Sequence, residues 1–232
     1  MTAHKTLFCC LLLALATGCN GIMDGIYDNP TDEMPAGLPY GYKAINDDRS
    51  GGTLFFDSRS YLRWTYFNLR QFTSDMIDFQ QGDKMEPLEQ RLAPWDIAFH
   101  RSVPKTHGGE AAETRFGTVA EVVAACKEAG GILPFADRER LTFKADEWSE
   151  EVVTLDLSGM FDGKVVYQPS LYSETLNRWL HIDISSPPPV YTMSHRAYVL
   201  HLATGEYYAI ALVNFRNANN VTAWLTIDFQ RL

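Results

Sequence analysis

The chain has none of the short motifs that carry hydrolytic, nucleotide or zinc chemistry. Its 232 residues contain no Gly-x-Ser-x-Gly elbow, no His-Glu-x-x-His helix, no Walker-type loop and no Gly-x-Gly-x-x-Gly fingerprint. The neighbouring acids Asp47-Asp48 and Glu150-Glu151 are adjacent in sequence. In extended chain they point to opposite faces, which suits a solvated turn better than an acid/base couple. No side chain stands out as a nucleophile or general base.

Basic charge is scarce. The 20 Lys and Arg face 29 Asp and Glu, a formal −9, and no segment concentrates enough positive charge to hold nucleic acid. Long apolar runs are missing too. Residues 7–16 form an apolar stretch of roughly ten residues behind His4 and Lys5, too short for a bilayer span of about 20 residues. It reads as the core of a signal peptide, residues 1–18. The Ala16-Thr17-Gly18-Cys19 junction looks like the lipobox of bacterial lipoproteins, which implies cleavage before Cys19, acylation of that residue and a stable lipid anchor. Cleavage leaves 19 basic and 29 acidic residues, a net −10.

Cysteine is equally sparse. Cys9 and Cys10 depart with the signal and Cys19 is taken by lipid, so Cys126 is left without a disulfide partner. It fits a small buried group on a short helix over 119–129, where Thr118 and Glu121 have capping-box spacing and Gly130-Gly131 stops the run.

What the chain has in quantity is strand. Residues 19–50 are rich in Gly, Pro, Asn and Asp and read as a tether, leaving residues 51–232 as one domain. Residues 61–69, 152–157 and 164–167 are aromatic and β-branched. Residues 196–202, 207–215 and 221–230, separated by a turn at 203–206 and a polar loop at 217–220, form an antiparallel meander. In its last strand Val221, Ala223, Leu225, Ile227 and Phe229 share one face, and Thr222, Trp224, Thr226, Asp228 and Gln230 share the other. Further back, Trp95, Ile97 and Phe99 can line one face of a half-buried strand, with Ala98 and His100 opposite. The expected fold is all-β, mainly antiparallel, with one short helix near 119–129.

Four segments resemble the HmuY-like haem-binding lipoproteins. They are Trp95-Asp96-Ile97-Ala98-Phe99-His100-Arg101 with Lys105-Thr106-His107-Gly108-Gly109; the stretch around Ser158-Gly159-Met160; residues 179–194 with Pro187-Pro188-Pro189-Val190-Tyr191; and the meander. The resemblance implies an all-β fold whose two finger-like strand pairs clamp a haem through paired histidines or methionines. Carried over by position, Met160 falls on a methionine-ligand position and Pro187 on the second, where proline has no donor atom. The histidine position of other relatives falls near Ile184, which also cannot coordinate. Met193 and His195, two apart and expected to share a strand face, and His181, two residues after Trp179, are the substitute iron-ligand candidates. Each also reads as an ordinary strand side chain. His100 reads as a structural hydrogen-bonding residue, and His107 stands where relatives commonly have Asn.

The function this implies is capture of haem, with haem b as the cofactor-like cargo, and its transfer to an outer-membrane uptake system through a TonB-dependent receptor. The protein would be lipid-anchored at the outer membrane or cell surface. A neutral thioether ligand favours ferrous iron, and Arg178 and Arg196 are candidate partners for the propionates. The alternative reading is a non-haem surface lipoprotein of the same fold that recognises a glycan, a peptide or a partner protein.

Overall fold

A computed structural model describes residues 36–159, 162, 164–183, 185 and 189–232. Cys19, Met160, Ile184 and Pro187 lie outside the described residues. In chain order the elements are β1 (Tyr42–Ile45), β2 (Gly51–Asp57), β3 (Arg63–Asn68), β4 (Thr73–Asp78), α1 (Met85–Glu89), β5 (Ile97–His100), β6 (Val103–Thr106), β7 (Glu110–Glu113), α2 (Val119–Ala129) and α3 (Ile132–Glu139). They continue as β8 (Lys144–Ala145), β9 (Glu147–Gly159), β10 (Lys164–Tyr172), α4 (Glu174–Asn177), β11 (Leu180–Asp183), β12 (Val190–Met193), β13 (Ala197–His201), β14 (Tyr207–Arg216) and β15 (Thr222–Arg231). None of the described helices is long and apolar enough to cross a membrane.

The strands form a seven-stranded sheet, ordered β1-β2-β15-β14-β13-β7-β8, a four-stranded sheet, ordered β4-β3-β5-β6, and two separate hairpins, β9-β10 and β11-β12. All pairings are antiparallel. The main core lies between the two sheets. Leu54 and Phe56 of β2 and Leu225, Ile227 and Phe229 of β15 meet Phe67 of β3 and Ile97 and Phe99 of β5 there. The expected meander is β13-β14-β15, and β15 alternates as read: Ala223, Leu225, Ile227 and Phe229 are buried, while Trp224, Thr226 and Asp228 are only partly covered. Val221 falls outside the strand and is exposed.

The outer faces are covered as well. On the seven-stranded sheet, Val122 and Cys126 of α2 and Phe135 of α3 pack on Val199, Ala209 and Ala211. Cys126 is a buried free thiol. The α2 helix starts at the expected capping box, Thr118 with Glu121, and ends at Gly130, whose φ of 84° is the left-handed cap that glycine adopts without strain. Gly131 then opens α3, so the glycine pair joins two helices. The expectation of a single helix is therefore corrected to four among the described residues.

Two further expectations change. The folded body begins before residue 51: β1 pairs with β2, and Tyr42 is fully buried with its hydroxyl donating to Asn68 O at 2.9 Å. Two glycines beside β1 are closely packed: a Cβ on Gly52, in β2, would sit 2.2 Å from Ala44 O, and one on Gly41 2.6 Å from the Phe67 ring. The strand β5 is buried on both faces, not one. Ile97 and Phe99 enter the main core, and Ala98 belongs to a second cluster with Trp64, Tyr66, Trp95 and, from β9, Val153 and Leu155. Trp95 precedes the strand and packs on the side of Ala98, opposite Ile97 and Phe99.

Candidate functional site

The two hairpins outside the sheets flank a cleft of about 760 Å³, a volume in the usual range for small-molecule sites. Its walls come from β9-β10 (Glu151, Val152, Thr154, Val165, Tyr167 and Tyr172) and from β11-β12 (Leu180, His181, Ile182 and Tyr191, with Pro189 just before). The turn from His100 to Val103 and the side chain of Tyr61 close the inner end.

Both hairpins are rooted on β6 and the turn before it. Asp146, immediately before β9, accepts the Thr106 N–H at 2.5 Å, and Ser173, just after β10, donates its N–H to Pro104 O at 2.9 Å. The second hairpin starts at Trp179, whose Nε1–H donates to Ser102 O at 3.1 Å and whose ring stacks on Phe99. Ser194 N–H closes the far end onto Trp179 O at 2.9 Å. Burial pushes the Asp146 carboxyl up to about 6, against the pull of its hydrogen bond from Thr106 and the charge of Lys105. Its Oδ1 finds no partner among the described residues.

The cleft lining carries charge of both signs, Arg101 and Arg178 with Glu151 and Glu174. Arg101 lies with its guanidinium 4.1 Å over the Tyr61 ring and donates to Arg59 O at 2.6 Å. Arg178 pairs with Glu174, which also holds Lys144 at 3.0 Å. Tyr172 donates to Glu147 at 2.7 Å, and that hydrogen bond is the first cause pushing its hydroxyl up to about 12. His100 is buried between Trp64 and Phe79 and donates from Nε2 to Tyr61 O at 2.8 Å, as a carbonyl only accepts. Burial drives its imidazole down to about 4, so it is a neutral structural group, as the sequence reading expected.

Of the described ligand candidates, the structure brings His181 to the cleft. Met193 pairs with Leu180 and packs against the main core. The strand stops at Met193, and His195, with a φ of 52°, is exposed and does not share its face. Neither lines the cleft. Arg178 lines it; Arg196 instead donates to Arg115 O at 2.6 Å. Sequence reasoning missed Arg101, although it closes the Trp95–Arg101 motif, and the tyrosines 61, 172 and 191. Among the described residues no group of three or more His, Cys, Asp or Glu is placed to hold a bare metal ion. Alongside the buried, structural His100, the lining offers the His181 imidazole, aromatic and aliphatic walls, and the Arg101 and Arg178 guanidinium groups set against the Glu151 and Glu174 carboxylates, a mixed surface that can take a flat ring system.

A family model described as HmuY protein matches residues 60–229. Among solved structures, a candidate HmuY-like heme binding protein from Bacteroides vulgatus is 31% identical, with a TM-score of 0.68, over 82% of this chain and 96% of that one. A candidate lipoprotein from Bacteroides fragilis is 30% identical, with a TM-score of 0.69, over 82% and 94%. The apo HmuY analog of Tannerella forsythia shares the fold at 17% identity and a TM-score of 0.61, over 78% and 95%. No curated protein matches the chain.

Proposed function

The chain belongs to the HmuY family, and from that premise we propose that it binds haem in the cleft between its two hairpins and passes it on at the cell surface. The observation that carries this reading is the cleft itself, with His181 on its wall beside apolar and aromatic side chains. His181 supplies an imidazole for the iron, and Arg178 and Arg101 supply positive charge for the propionates. By the position the family resemblance gives it, Met160 is the companion donor; Pro187 has no donor atom. The cargo is a ligand and not a catalytic group, and the protein acts as a binder.

The lipid anchor on Cys19, placement at the outer membrane and delivery to a TonB-dependent receptor complete the proposal. Its support is the Ala-Thr-Gly-Cys junction and the likeness to a candidate lipoprotein.

A haemin titration followed in the Soret region, under oxidising and reducing conditions, tests the binding step. The expected result is saturation near one equivalent, with His181→Ala and Met160→Ala each weakening binding and altering the spectrum, and Met193→Ala and His195→Ala leaving both unchanged. A parent protein without saturable binding sinks the proposal. Binding indifferent to His181 and Met160 removes the ligand assignment.

A further inference from the structure

A second recess, about 610 Å³ in volume, opens between α1, the end of β6 and the hairpin β9-β10. It shares one lining residue, Tyr167, with the cleft. Its inner wall is built from the motif segment that the haem reading leaves unused. His107 stacks on Trp95, with ring centroids 4.5 Å apart and planes 12° apart, and its Nδ1 lies 3.1 Å from Trp95 O. Beside them Lys105, only 4% exposed, pairs with Glu89 and sits 3.8 Å over the Trp64 ring. Glu89 is held in turn by the Tyr66 hydroxyl at 2.8 Å.

The mouth is unusually apolar for a surface. Trp148 is 58% exposed and Leu171 45%, and Trp148 is fixed in place by its Nε1–H donating to Glu150 at 2.8 Å. Within the recess the Gln168 side chain is buried at 6% exposure. Its Nε2 donates to Asp83 O at 2.9 Å, and its Oε1 has no donor among the described residues. A buried acceptor without a donor is a cost that native structures rarely carry. Lining charges are Asp83, Glu86 and Glu89 against Lys84 and Lys105, a surplus of one carboxylate.

These features select a ligand. Exposed aromatic faces favour a ring with a C–H-rich face, and the orphan Gln168 Oε1 with the rim carboxylates favours several hydroxyl donors. A purely apolar molecule would leave Gln168 unsatisfied, and an anion would meet the surplus acid. We propose that this recess is a binding site for a neutral saccharide, with Trp148 as its stacking platform and Gln168 as its buried acceptor.

The test uses the purified full chain with cellobiose, maltose, lactose and diacetylchitobiose as neutral probes. Glucuronic acid and glucosamine serve as the charged comparators. Binding is read by tryptophan fluorescence and saturation-transfer NMR. At least one neutral sugar should bind saturably, and Trp148→Ala, at an exposed position, should weaken it about tenfold or more, as should Gln168→Leu, equivalent to losing a contact of about 1.4 kcal/mol. The haemin titration of Trp148→Ala should match the parent. The proposal is overturned by any of three results: no saturable neutral sugar in this panel, undiminished binding in Trp148→Ala, or tighter binding of either charged comparator.

Discussion

His100 and Asp146 should tilt the stability of this protein in opposite directions over one pH range and hide each other. His100 has an ordinary value of 6.5 that burial lowers to about 4 in the folded chain. Between those values the unfolded chain holds more protons at this residue, so its contribution to stability is lost as pH falls from about 6.5 towards 4. Asp146 behaves in the reverse sense. Its ordinary value of 3.8 rises to about 6 on folding, so the folded chain holds the extra proton, and stability falls as pH climbs from about 4 to 6. At 1.36 kcal/mol for each factor of ten in proton affinity, each group contributes on the order of 3 kcal/mol across its window. Where the windows overlap, the two slopes cancel.

Urea melts at half-unit pH steps from 4 to 7 expose the pair when each partner is neutralised alone. His100→Gln keeps an N–H donor near Tyr61 O and leaves Asp146 unopposed, so its stability relative to the parent should fall with rising pH. Asp146→Asn keeps an acceptor for Thr106 N–H and leaves His100 unopposed, so its relative stability should rise. Reading differences from the parent removes the exposed carboxylates, such as Asp78 and Glu174, which their arginine partners hold below the ordinary range. Flat difference curves for both variants would refute the reasoning, because neither burial would then perturb its group.

The sheet register and the anchor are tested more simply. Leu225 is fully buried in the main core and Thr226 is partly covered on the opposite face, so denaturant melts should place Leu225→Ala about 2–5 kcal/mol below the parent and Thr226→Ala well above that variant. Equal midpoints would contradict the register of β15. Cys19→Ser should shift the protein from the membrane to the soluble fraction and abolish any lipid found by mass spectrometry; an unchanged distribution removes the anchor.

The strands were most legible where one face meets the core and the other does not. β15 could be read residue by residue because its alternation has period two, and α2 because its capping box and terminal glycine are local signals. The segment Ile97–His100 looked half-buried because the hairpin that covers Ala98 comes from Val153 and Leu155, some 55 residues downstream. β1 was hidden inside a stretch rich in Gly, Pro, Asn and Asp, next to Gly41 and Gly52, which serve close packing. α3 carries Pro134 in its first turn, where proline is tolerated, yet the residue reads as a breaker in sequence. At the site, two-residue spacing put Met193 and His195 on one face, but the left-handed backbone at His195 ends that relationship. The cleft itself had no sequence signature, as its walls are contributed by four separate stretches of chain.

The roots of the two hairpins rely largely on main-chain atoms of one short segment: Ser102 O, Pro104 O and Thr106 N–H. A carbonyl is supplied by any residue and an amide N–H by any but proline, so these attachments are largely indifferent to other substitutions along β6. The mounting of the hairpins and the lining of the cleft thus rest on different atoms, main chain at the roots and side chains along the walls. Divergence in what such a protein holds can therefore run ahead of divergence in how it holds it.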